Sequence, residues 1–207
     1  MKKLLIFALI VILFVVVVIL ARSGAPEDVP SAEISDSETT QSSGNSEEIV
    51  LVENLSEKID KLDPTKLSFN FVGFGPGKSH IGKFNNYTLK DLVVSGNTLT
   101  SGQIVFDLTS VTTGIEALDA HLCKEEFFNC DEYPEGVFEL KNISKVDNNT
   151  LKVTGLLSLR GVTKEISFDV KKEENKFSAD FLINTEPFGM NVILADKDVQ
   201  IQFEITL

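Results

Sequence analysis

The chain has 207 residues, is 43% hydrophobic and 24% charged, and carries a formal net charge of -12, with fifteen Phe against two Tyr and no Trp. No basic stretch exists to hold a phosphate backbone, which excludes a nucleic-acid role, and anionic headgroups offer no attraction, so any membrane association must come from apolar sequence. Phe supplies apolar area without a hydrogen-bonding handle, so the aromatic skew points to a large greasy surface that needs no polar partner.

Lys2 and Lys3 precede an uncharged run of eighteen residues from Leu4 to Ala21, and Arg22 follows it. At about 1.5 Å per residue the run spans roughly 27 Å, close to the hydrocarbon thickness of a bilayer, and the flanking lysines place its N-terminus in the cytoplasm. Residues 1–21 therefore read as an N-terminal transmembrane anchor with everything after them extracytoplasmic, in a periplasm or at a cell surface. A cleaved signal ending at Ala21-Arg22-Ser23 is the alternative. Residues 22–48 are rich in Ser, Glu, Asp and Thr and contain no aromatic residue, and they read as a disordered acidic linker. As a coil such a linker reaches roughly 25–30 Å and leaves the domain free to turn. Residues 49–207 form the domain. Its first stretch is ambiguous, with Leu55, Ile59 and Leu62 at helical spacing before Pro64.

From Leu67 onward the signal is period-two alternation. Leu67, Phe69 and Phe71 alternate with Ser68 and Asn70, and a strand pair is expected around His80 to Val94. The intervening Gly73-Phe74-Gly75-Pro76-Gly77-Lys78-Ser79 has the tail of a phosphate loop, but Val72 stands where the motif needs Gly, and a glycine-rich turn is the reading. Ile104, Phe106 and Leu108 begin the next strand. Ile115, Leu118, Ala120 and Leu122 then keep helical spacing and are placed to cap or line one end of the fold. Alternation resumes at Phe138 and Leu140, Val153, Leu157 and Leu159, Ile166, Phe168 and Val170, Phe177 to Ile183, and Val199 to Ile205. Turn pairs such as Asn148-Asn149, Arg160-Gly161 and Glu174-Asn175 separate them. The fold class is all-β: an antiparallel up-and-down barrel of about eight strands with one short helix. Phe69, Phe71, Phe106, Phe138, Phe168, Phe177, Phe181 and Phe203 share the inward parity of their strands. A barrel of this size either fills its interior or holds one small ligand.

Catalytic equipment is sparse. His80 and His121 are the only two His, no nucleophile elbow is present, and Asp119 with His121 reads as a structural pair. The reading is therefore not an enzyme, with no cofactor and no metal. Cys123 and Cys130 flank Phe127-Phe128, and outside the cytoplasm a disulfide is their default state. Free thiols and a metal site with His121 are the alternatives, the latter short of a fourth ligand. Asn54, Asn86, Asn142 and Asn148 sit in glycosylation sequons that matter only in a host with that machinery.

Five motifs in register resemble the YceI-like family over residues 62–207. They are Gly75-Pro76-Gly77-Lys78-Ser79-His80-Ile81-Gly82-Lys83-Phe84; Ser110-Val111-Thr112-Thr113-Gly114; Leu118-Asp119-Ala120-His121-Leu122 with Phe127-Phe128 and Tyr133-Pro134; Val153-Thr154-Gly155 through Arg160-Gly161-Val162-Thr163-Lys164; and Phe188-Gly189. The resemblance implies a lipocalin-like barrel whose interior binds a long amphiphile such as a polyisoprenoid, typically in the bacterial periplasm. Carried over by position, it puts His80, Phe84, His121 and Phe127 around the mouth and lining, and adds Phe188. The chain departs from the family at Thr185, where an Arg is usual. Strand parity contributes Phe69, Phe71, Phe106, Phe138, Leu157, Phe168, Phe181 and Phe203 to the same candidate lipid-contact set. The expected function is to bind and sequester or shuttle a polyisoprenoid or quinone-like lipid beside the membrane. A membrane-tethered, partner-binding module with a solid barrel core is the rival.

Overall fold

Alternating sequence becomes strand wherever turn residues let the chain reverse, and here it does so repeatedly. A computed structural model describes residues 24–36, 55, 57, 66–95, 98–190, 192, 193 and 195–207. The apolar run of residues 4–21, the rest of the expected linker, and Ile59 and Leu62 lie outside the described residues. Among the described residues no helix is long and apolar enough to cross a membrane.

The strands are β1 (Glu33–Ser35), β2 (Leu67–Gly75), β3 (Lys78–Phe84), β4 (Tyr87–Ser95), β5 (Thr98–Asp107), β6 (Val111–Thr112), β7 (Glu135–Lys145), β8 (Thr150–Leu159), β9 (Val162–Glu173), β10 (Lys176–Asn184) and β11 (Asp198–Thr206); the helix α1 spans Glu116–Leu122. They form one curled sheet in the order β4-β5-β7-β8-β9-β10-β11-β2-β3-β6. The meander expected from the sequence is present, and the last strand, β11, returns to β2: Phe203 pairs with Phe69 and Ile201 with Phe71. The glycine-rich stretch at Gly73 to Ser79 is the β2–β3 hairpin, with Gly77 at φ 73°. Arg160 and Gly161, both at positive φ, make the two-residue β8–β9 turn that matches strand twist.

The sheet is not the fully closed barrel that the alternation suggested. Among the described residues the ladder does not continue from β3 to β4, because the end of β3 is paired instead with β6, Lys83 with Thr112 and Phe84 with Val111. The curl is held at that seam by the chain connection, where Asn85 N–H donates to the Ser110 carbonyl and Asp107 N–H to the Asn86 carbonyl.

A second departure concerns residues 24–36, expected to be disordered as part of the linker. β9 and β10 pair over only three residues, Lys171 to Glu173 with Lys176 to Ser178, and then diverge. β1 enters the gap. It pairs antiparallel with β9, Glu33 to Ser167 and Ser35 to Glu165, while Ser31 bridges Leu182 of β10 in parallel. Leu182 N–H donates to the Pro30 carbonyl at 2.8 Å and Ala32 N–H to the Leu182 carbonyl at 2.7 Å. Upstream, Ala25 and Val29 cover Val72, Phe74 and Leu182 on the outer face of the sheet, and downstream Ala32 and Ile34 pack on the main core. The composition of this segment cannot order it alone; a vacant slot in the wall supplies its hydrogen-bond partners and apolar cover.

The main core occupies the β7–β11 side and contains Leu151, Ile166, Phe168, Val170, Phe177, Ala179, Phe181, Ile183 and Phe188. Phe168 and Phe181 stack at 4.3 Å between ring centroids, with Phe203 edge-on to Phe168 at 6.1 Å. Glycine admits these rings at one point. A Cβ on Gly155 would lie 2.4 Å from the Phe138 ring and 2.6 Å from the Glu139 carbonyl oxygen, and the second neighbour is backbone that cannot step aside. Gly155→Ala is therefore expected to destabilise the domain by about 1–3 kcal/mol, the usual cost of overpacking, seen as a lower urea midpoint at unchanged slope.

Candidate functional site

The other half of the interior is open. A cavity of about 600 Å³ lies between β2, β3, the ends of β5, β8, β10 and β11, α1, and the loop that joins β10 to β11. That volume is within the usual range for a small-molecule site. Its wall is aromatic because inward parity brings Phe69, Phe71, Phe84 and Phe106 together from three strands. Phe69 lies 4.5 Å from Phe106 and Phe71 5.5 Å from Phe84, and Phe128 meets Phe84 edge-on at 5.4 Å. Gly73 continues the same face, and a Cβ built on it would touch nothing within 4 Å.

α1 closes one side, presenting Leu118 and Leu122 to the cavity at i, i+4 spacing. A seven-residue helix is too short to hold itself, and both of its ends are moored. At the start, Asp119 accepts from the Thr113 N–H and hydroxyl, each at 2.6 Å, and from the Thr112 hydroxyl at 3.1 Å. At the end, a disulfide joins Cys123 to the buried Cys130, which settles the three readings of this pair. Beneath the moorings Leu108, 1% exposed, packs with Phe106 and Cys130.

Polar groups gather at the mouth and are engaged with one another. Asp196 accepts the N–H groups of Ala25 and Asp198, both at 3.1 Å, and its own N–H donates to the Phe74 carbonyl. Thr185 donates its N–H and its hydroxyl to the Lys197 carbonyl, each at 2.9 Å, and Lys197 pairs with Glu186 at 3.8 Å. The mouth is thus a polar collar above a Phe-lined interior.

Of the residues expected to contact lipid, Phe69, Phe71, His80, Phe84, Phe106, Phe127 and Leu157 line this cavity. Phe138, Phe168, Phe181, Phe188 and Phe203 do not: they belong to the packed half, where neighbouring rings take up the space, and Phe188 is only 1% exposed. His121 also stands apart. It is 51% exposed, edge-on to Phe127 and 3.5 Å from Glu126, because one residue off the Leu118–Leu122 stripe turns it away from the cavity. The expected set omitted Ile183, Val199 and Ile201, whose parity was readable. It also omitted Met190 and Gly24, which come to the mouth through the β10–β11 loop and the β1 segment and carry no local signal.

The Thr113 hydroxyl, followed by its N–H and the Thr112 hydroxyl, holds the Asp119 carboxyl below the usual carboxylate range. A depressed folded-state pKa means that the stabilisation is complete above about pH 4 and is lost as pH falls through the lowered value. Asp119→Ala is therefore expected to melt below the parent protein at neutral pH, and the gap should close on acidification below about pH 4 when melting is followed across pH.

Comparison with known proteins gives a consistent assignment. The YceI-like domain profile matches residues 59–207. Protein YceI of Shigella flexneri is 35% identical over 68 residues, a stretch that covers 33% of this chain and 35% of that relative. The crystal structure of BcnA from Burkholderia cenocepacia superposes with a TM-score of 0.61 at 18% identity, covering 70% of this chain and 99% of that one. A polyisoprenoid binding domain from Saccharophagus degradans superposes at 0.53, also at 18% identity, covering 70% of this chain and 97% of its own. A β2-to-β11 return, an aromatic half-cavity and a family profile over most of the chain agree: the chain belongs to the YceI-like family.

Proposed function

We propose that the cavity binds a long apolar amphiphile, a polyisoprenoid or quinone-like lipid, and that the protein sequesters or shuttles it on the extracytoplasmic side of a membrane to which residues 1–21 tether it. One observation carries this reading: about 600 Å³ of Phe-walled space that opens through a polar collar. An amphiphile matches both parts, its tail against the rings and its head at Thr185, Glu186 and Lys197. Each buried CH₂ contributes roughly 0.8 kcal/mol, so a few isoprene units supply ample driving force against the cost of ordering the chain. The Saccharophagus relative's description as a polyisoprenoid binding domain supports the same ligand class. The site reads as binding rather than catalytic, since Asp119 and Asp196 are engaged in mooring α1 and the β1 segment. The solid-core rival describes only the β7–β11 side.

The test uses a form beginning at Gly24, extracted with organic solvent and weighed by mass spectrometry. The parent should carry isoprenoid or quinone lipid. Gly73→Trp, which projects an indole into open space, should lower the bound lipid at least tenfold, about 1.4 kcal/mol, at an unchanged melting temperature. Absence of lipid from the parent, together with no uptake of a fluorescent isoprenoid, would sink the proposal.

A further inference from the structure

The family profile matches from residue 59 onward, so the ordered segment of residues 24–36 lies outside the matched stretch. It is fixed at both ends. Ala25 N–H is held by Asp196 at the mouth, β1 is paired into the slot between β9 and β10, and Lys152–Glu33 and Lys164–Asp36 ion pairs at 3.1 and 2.6 Å flank it on the outside. Its first residue, Gly24, is part of the cavity mouth.

The position of Gly24 sets a length. The apolar run ends at Ala21, three residues earlier. Fully extended, that step covers at most about 11 Å, against a headgroup layer roughly 5–8 Å deep on each side of a bilayer. Were residues 22–66 a free coil instead, the domain would range over roughly 35–40 Å. The rim also carries exposed apolar side chains. Ile193, beside the cavity-lining Val192, is 88% exposed, and Ile115, between Thr113 and Leu118, is 46% exposed. With a net charge of -12 the partner surface is zwitterionic rather than anionic.

We propose that residues 24–36 are a rigid mount that seats the cavity mouth on the bilayer holding residues 4–21, so that an amphiphile passes between membrane and cavity without crossing water. The seating of the mouth rests on the anchor reading of residues 1–21, and the passage of an amphiphile rests on the proposed function. The mouth faces lipid, and the β7–β8 turn at Asn148, at the far end of the ten-residue strand β8, stands roughly 30 Å away from it.

The full chain in phosphatidylcholine nanodiscs tests this, with a small fluorophore on Ile193→Cys or Asn148→Cys and a nitroxide on the lipid headgroup. Quenching should be several-fold stronger at 193 than at 148. Equal quenching at the two sites, or none at either, overturns the mount. A twenty-residue Gly-Ser insertion between Ser23 and Gly24 leaves the segment in its slot but adds roughly 25 Å of reach, and it should abolish the difference. Persistence of the difference in that variant shows that the rim itself finds the bilayer and likewise overturns the mount. A chain released from the membrane by alkaline extraction overturns anchor and mount together, while the lipid content of the form beginning at Gly24 is decided separately.

Discussion

β9 and β10 stay paired for three residues and then part, and the order of residues 24–36 depends on that divergence. Where they separate, the wall is longer by the width of an added strand. A parted wall also leaves unpaired N–H and C=O groups, which must find partners. β1 supplies them, antiparallel on one side and parallel on the other. The order of the β1 segment, and with it the place of Gly24 at the cavity mouth, comes from that one geometric fact.

Phe is the residue that serves both halves of such an interior. In the packed half, Phe168, Phe181 and Phe203 meet in stacked and edge-on geometry and exclude solvent. In the open half, Phe69, Phe84, Phe106 and Phe128 keep ring-to-ring contact along the wall of the cavity that they line. Tyr or Trp in those positions would bring an O–H or N–H that needs a partner, and a wall built of Phe rings offers few. The polar work is confined to the mouth, where carboxylates and hydroxyls fasten α1, the β10–β11 loop and the β1 segment.

The strands were legible because their alternation is long and regular; β9 to β11 read directly as one greasy and one wet face. The division of the interior was not, because parity says which side a residue faces and nothing of how far away the opposite wall stands. Phe138 and Phe106 have the same parity and different surroundings for that reason. His121 entered the expected set through the family resemblance, although the Leu118 and Leu122 spacing already sets it off the stripe that faces the cavity. β1 had no local signal: Glu33-Ile34-Ser35 offers one apolar residue inside an acidic, Ser-rich stretch, and its strand character comes from β9 and β10. The seam between β3 and β4 was hidden likewise, since Val111-Thr112 is too short to announce itself as a strand.

The β1 segment has a consequence for the order in which the molecule assembles. It is synthesised before the rest of the described fold, yet Ala25 is joined to Asp196 across 171 residues of sequence and Glu33 to Lys152 across 119. Contacts of such separation carry the largest loop-closure entropy and form late. The slot exists only after β9 and β10 have emerged and parted, so the earliest piece of the chain must wait for nearly the last. A nascent domain is consequently a curled sheet with an open slot in its wall, into which residues 24–36 dock late.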